Sequence, residues 1–186
     1  MRSYNAVKAS KPLIVAVVGR KSSGKTTLIE ELTKRLIDRG LRVAAIKHTC
    51  ELEVKFDFPG TDTWRMRQSG ASAVMLVSPS CQALIAEGSL DLDSAVDLLV
   101  RAVSDVDVVL VEGFKSQTLP REDALKVIVS AGEGDEEFLE KSVGKTMIVR
   151  PVSRGEGKPH LSEDDIARVV SEISRLIDLR LNSTGG

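Results

Sequence analysis

Residues Leu13–Arg39 read LIVAVVGRKSSGKTTLIEELTKRLIDR. The apolar run Leu13–Val18 predicts a buried strand that stops at Gly19. Arg20, Lys21, Ser22, Ser23, Gly24, Lys25, Thr26 and Thr27 follow, and then Leu28, Ile29, Leu32, Leu36 and Ile37 fall on one helical face. Gly40 predicts the helix stop. The spacing Gly19-x4-Gly24-Lys25-Thr26 is that of the phosphate-binding loop between a strand and a helix. Glycines let such a loop close round a phosphate with its N–H groups inward, and the helix N-terminus adds free donors and a positive dipole end. In that arrangement Lys25 reaches the β and γ phosphates and the Thr26 hydroxyl is a ligand for Mg²⁺. A second Gly144-Lys145-Thr146 is a decoy, because Leu139 stands where the first glycine belongs.

From this centre the rest of the chain reads as an α/β protein. Val43–Ile46 predicts a second strand, which makes a βαβ unit with the first. Lys47–Thr61 has no clean period and reads as a long functional loop. Asp62–Ser69 predicts a short helix capped by Thr61, and Ala73–Val77 with Gln82–Ala86 a hairpin across a Pro-containing turn. Asp93–Val103 predicts a helix, Val106–Val111, Leu125–Val129 and Met147–Val149 strands, and Gly132–Lys141 an acidic surface helix or loop. Ser162–Leu181 predicts the last helix, with Ile166, Val169, Val170, Ile173, Ile177 and Leu181 as its stripe. Alternating strands and helices imply a P-loop NTPase fold: a mainly parallel twisted sheet, helices on both faces and a hairpin extension. One nucleotide-binding domain over residues 12–181 is expected, between tails at 1–11 and 182–186.

Composition narrows the function. With 26 Lys+Arg against 27 Asp+Glu, the formal net charge of -1 gives no electrostatic case for nucleic acid or a membrane surface as partner. The 2 cysteines, Cys50 and Cys81, make no disulfide framework, and reduced thiols in the cytoplasm are the simpler reading. One His and one Cys, His48 and Cys50, are too few for a closed metal site.

Ligands of an open parallel sheet sit beyond the carboxyl ends of its strands. Gly19, Lys47 and Glu112 all lie at such ends, so separate segments converge on one place. Glu112 follows the apolar Val108–Val111 and is positioned to hold Mg²⁺ or orient an attacking water. His48 is a candidate catalytic group from its place beside the phosphates. Asp57 and Asp62 are candidates to hold Mg²⁺ through water. Arg20 and Lys21 add positive charge inside the loop, and Arg20 is a candidate to neutralise charge during phosphoryl transfer. Arg65 and Arg67 are weaker candidates for anion contacts.

Four segments in order, GRKSSGKTTL from Gly19, IKHT from Ile46, DFPGTDTWRMRQSGA from Asp57 and LVEGFK from Leu110, give a family resemblance. The chain resembles the molybdopterin-guanine dinucleotide biosynthesis protein B (MobB) family. The resemblance implies GTP and Mg²⁺ as ligands and weak GTPase activity. It also implies a homodimer that assists a separate MobA-like guanylyltransferase in attaching GMP to molybdopterin, with molybdopterin itself a candidate ligand. His48 and Asp62 match family positions. Thr61 replaces the lysine common in the family's PGKD segment, so a phosphate contact from that lysine is missing. The Asn-Lys-x-Asp guanine motif is absent, since the only asparagines are Asn5 and Asn182, and GTP rests on the resemblance alone. The alternative is a P-loop small-molecule kinase, with Lys47–Thr61 holding an acceptor hydroxyl.

Overall fold

In the computed structural model, described for residues 11–51, 57–130, 132, 134–152 and 160–183, the first strand β1 (Leu13–Gly19) is buried along its whole length. It runs into the helix α1 (Lys25–Asp38), which closes with a left-handed Gly40. There the Gly40 N–H reaches Ile37 O at 2.8 Å and the Leu41 N–H reaches Leu36 O at 3.1 Å, so the last carbonyls of the helix are satisfied. The chain continues through β2 (Val43–Lys47), α2 (Asp62–Gln68), β3 (Ala73–Val77), β4 (Gln82–Ala86), α3 (Leu92–Ala102) and β5 (Val108–Glu112). It ends with α4 (Lys115–Thr118), β6 (Ala124–Val129), α5 (Glu136–Glu140), β7 (Thr146–Val149) and α6 (Glu163–Ser183). The expected tail at 1–10, residues 52–56 of the expected loop, residues 131 and 133 of the acidic segment and the end of the expected tail at 184–186 lie outside the described residues.

Two compact units emerge, 1–48 with 92–186, and 49–91. The first holds a five-stranded sheet in the order β2-β5-β1-β6-β7, with every neighbouring pair parallel. β1 and β2 are therefore not neighbours: β5 lies between them, paired with both. Alternation along β1 feeds both faces. Leu13, Val15 and Val17 join Leu28, Leu32 and Leu36 of α1 and Ile166, Val169 and Ile173 of α6. On the other face Ile14 joins Leu92 and Val96 of α3, and Ala16 and Val18 join Leu119, Ile128 and Phe138. The helical stripes are shorter than the sequence predicts. Ile37 is 54% exposed and Leu181 48%, each in a terminal turn where fewer neighbours cover the helix.

The second unit contains α2 and the antiparallel hairpin β3–β4, as expected. Thr61 is the N-cap of α2, its side chain accepting from the Trp64 N–H. Asp57 accepts from the Thr61 and Thr63 hydroxyls at 2.9 Å each and faces Arg67 at 3.7 Å, so it braces the start of the helix. Burial alone would raise the Asp57 pKa, but these hydrogen bonds, the Phe58 amide and Arg67 hold it below the usual value.

Candidate functional site

The turn after β1 is built for close backbone approach. A Cβ on Gly19 would stand 2.5 Å from the Val129 carbonyl oxygen of β6, so only glycine fits there. Ser22 (φ 62) and Gly24 (φ 96) are left-handed, which turns successive amides toward one concave side. Gly24 is the N-cap of α1 with no side-chain cap bond, and the first turn carries no acid. The first helical bond runs from the Leu28 N–H to Gly24 O at 2.9 Å. The N–H groups of Lys25, Thr26 and Thr27 thus have no acceptor within the helix, and their dipoles point out of its end. The Ser23 hydroxyl is buried there with no hydrogen-bond partner.

Glu112 ends β5 at the same edge. The Thr26 hydroxyl donates to its Oε2 at 2.9 Å. Lys47, in register with Glu112 across the β2–β5 pair, places its Nζ 3.9 Å from Oε1. Lys25 folds back and donates from Nζ to the Arg20 carbonyl of its own loop. Burial pushes the Lys25 pKa below the ordinary lysine value of 10.5. Glu112 opposes that shift, while Lys115 and Lys47 add to it. A cleft of about 460 Å³ is lined by Lys21, Ser22, Ser23, Gly24, Lys25, Thr26, Thr27, Glu30, Lys47 and Glu112, a volume in the range of small-ligand sites.

The structure thus brings together Lys21 to Thr27 and Glu112, as the sequence predicts. Arg20 points elsewhere: its guanidinium donates to Gly134 O at 2.8 Å and pairs with the buried Asp135 at 3.4 Å. His48 is exposed beside the cleft rather than among its lining residues. Its ring packs on Phe114 at 4.3 Å and its backbone N–H donates to the Glu112 backbone carbonyl at 2.8 Å. Asp62 belongs to the second unit, where its exposed carboxylate faces Arg65 at 3.6 Å. The Gly144-Lys145-Thr146 decoy is a turn into β7, with Lys145 paired to Glu172 at 3.3 Å. Glu30 and Lys47 also line the cleft, and the sequence alone assigns neither a role of its own. The signal for Lys47 is its place at the end of β2, in register with Glu112.

Thr26 and Glu112 offer a hydroxyl and a carboxylate side by side. Such hard oxygen donors fit Mg²⁺, which takes few protein ligands and completes its shell with phosphates and water. Among the described residues no three His, Cys, Asp or Glu side chains gather into a metal site of their own. No described helix is long and apolar enough to cross a membrane.

The family model described as Molybdopterin guanine dinucleotide synthesis protein B matches residues 14–144. The molybdopterin-guanine dinucleotide biosynthesis adapter protein of Escherichia coli (strain K12) is 32% identical over 139 residues, covering 72% of this chain and 75% of the relative. The adapter protein of the same description from Haemophilus influenzae is 37% identical over 110 residues, covering 58% of this chain. That match spans 60% of the Haemophilus relative's own length. Among solved structures, the Bacillus subtilis MobB matches with a TM-score of 0.64 and 27% identity over 88% of this chain and 97% of that one. A crystal structure of molybdopterin-guanine biosynthesis protein B matches at 0.59 with 29% identity, over 89% and 99%.

Proposed function

The chain belongs to the molybdopterin guanine dinucleotide synthesis protein B family, and on that premise we propose that it binds GTP with Mg²⁺ and assists a separate guanylyltransferase in joining GMP to molybdopterin. The observation that carries this reading is the Thr26–Glu112 hydrogen bond, set at the mouth of a helix whose first amides lack acceptors. Those amides, the Gly24 turn and the Lys25 ammonium receive the phosphates. Thr26 and Glu112 are the oxygens that would be offered to the cation. Mg²⁺ held by these two residues would supply charge neutralisation for the phosphates.

Lys25 is poised for this role. Its ammonium rests on a carbonyl of its own loop, a weaker partner than phosphate, so a triphosphate draws it over at little structural cost. Glu112 either holds the cation or orients a water, and His48 sits at the rim beside it. One carboxylate available for only one of the two duties at a time supports slow GTP hydrolysis. A homodimer is part of the same reading. Met75, Leu76, Val77 and Leu84 of the hairpin are 54%, 51%, 70% and 49% exposed, an apolar surface that a second copy can cover.

The test is reconstitution: GTP, Mg²⁺, molybdopterin and a guanylyltransferase, with the wild-type chain, with Lys25→Ala, or with neither. The wild type is expected to speed dinucleotide formation and the variant not to. Equal rates in all three mixtures contradict the accessory role. Fast transfer of the γ-phosphate to an acceptor hydroxyl, with no effect on the transferase, favours the kinase reading instead.

A further inference from the structure

Lys47 closes the edge strand β2, and its Cα stands level with that of Glu112. Its ammonium is 3.9 Å from Glu112 Oε1, while the Thr26 hydroxyl holds Oε2 at 2.9 Å. The two oxygens of one carboxylate, only 14% exposed, are thus divided between a hydroxyl and an ammonium. Lys47 is itself 66% exposed and lines the same cleft as Lys25, so its head can swing without disturbing the core. Resting on the nucleotide reading above, we propose that Lys47 is a second phosphate-binding cation. It is held on Glu112 until a triphosphate enters the cleft, and its departure frees the carboxylate for a divalent cation.

Charge decides the order of events. A divalent cation arriving alone meets a carboxylate already paired, with the ammoniums of Lys25 and Lys115 also near enough to act on one another. A triphosphate offers Lys47 a more highly charged partner than one carboxylate. Once the ammonium moves to phosphate, Glu112 Oε1 is open, and the nucleotide brings further oxygens for the cation. Lys47 therefore makes nucleotide and cation bind together, and by linkage each must favour the other to the same degree. A plain strand-edge ion pair, which contributes little between exposed groups, has no such consequence.

The experiment compares wild type, Lys47→Met and Lys47→Arg, each checked by thermal melting. Mn²⁺ alone is titrated by electron paramagnetic resonance, GTP alone by calorimetry in chelator, and then both are titrated together. Lys47→Met is expected to bind Mn²⁺ alone about tenfold more tightly and GTP alone about tenfold more weakly, somewhat more than an exposed ion pair contributes. Lys47→Arg is expected to restore GTP binding. If the Met variant misfolds, Lys47→Gln replaces it. Both affinities within about twofold of wild type, roughly the worth of an exposed ion pair, would overturn the proposal while leaving the nucleotide reading intact. Failure of the wild type to take up GTP at all brings down both.

Discussion

Thr26 and Glu112 lie 86 residues apart in the chain and share a hydrogen bond of 2.9 Å from hydroxyl to carboxylate Oε2. The bond joins the first turn of α1 to the end of β5, and it does so because β1 and β5 are adjacent parallel strands that end at one edge. The pair predicts a division of labour. Glu112→Gln keeps an acceptor for Thr26 but removes the charge, so the Mg²⁺-dependent part of GTP affinity should fall by about 2 kcal/mol. GTP binding without a divalent ion should be unchanged or stronger. Calorimetry with and without Mg²⁺ checks this, and equal losses in both conditions contradict it.

Lys25 predicts a pH dependence. Burial lowers its pKa in the free protein, whereas bound phosphate favours the charged form. Nucleotide binding therefore takes up a proton once the pH passes the lowered value. Affinity should be level below that value and should fall as pH rises from it toward the ordinary 10.5. Lys25→Arg stays protonated throughout and should give a flatter profile. Parallel profiles for the two proteins rule this out.

Arg20 predicts a stability effect. It pairs at 3.4 Å with Asp135, whose side chain is only 6% exposed, and ties the phosphate loop to the segment before α5. Arg20→Ala should lower stability by about 1–3 kcal/mol, because it takes a charged partner from a buried carboxylate. A denaturant midpoint equal to that of wild type, with GTP turnover lost, would instead return Arg20 to the charge-neutralising role expected from the sequence.

Lys126 is wholly buried within β6, and its Nζ donates to the carbonyls of Arg121, Ala124 and Val143. It fastens the segments before β6 and β7 to each other. Lys126→Ala should cost about 3 kcal/mol, since it opens a cavity and takes the shared donor from three carbonyls. Urea unfolding measures it, and a cost under about 1 kcal/mol contradicts the account.

The sequence was most legible where local chemistry sets the structure. The strand, loop and helix from Leu13 to Gly40 are dictated by an apolar run, a glycine spacing and a helical period, and all stand as read. The hairpin and the Thr61 cap were legible for the same reason. Strand order was not, because β5 inserts between β1 and β2 through pairings that no local pattern records. Nor was α4, four residues long with no apolar period, or its left-handed start at Phe114. Arg20 reads as a cation for the ligand in the sequence because its partner, Asp135, comes from a distant segment after β6. Lys47 and Lys126 show the same limit. One lysine lies at a strand end and one inside a strand, and only the folded chain shows that the first meets a carboxylate and the second meets carbonyls.

Titration calorimetry of the wild-type chain and of Lys25→Ala with GTP in the presence of Mg²⁺ bears most directly on the central claim. The account predicts uptake of one GTP per phosphate loop by the wild type and an affinity lower by about a hundredfold or more in the variant, the loss expected of a charge-assisted contact to phosphate. A folded wild-type sample that takes up no purine nucleoside triphosphate, or a variant that binds as well as wild type, would contradict it.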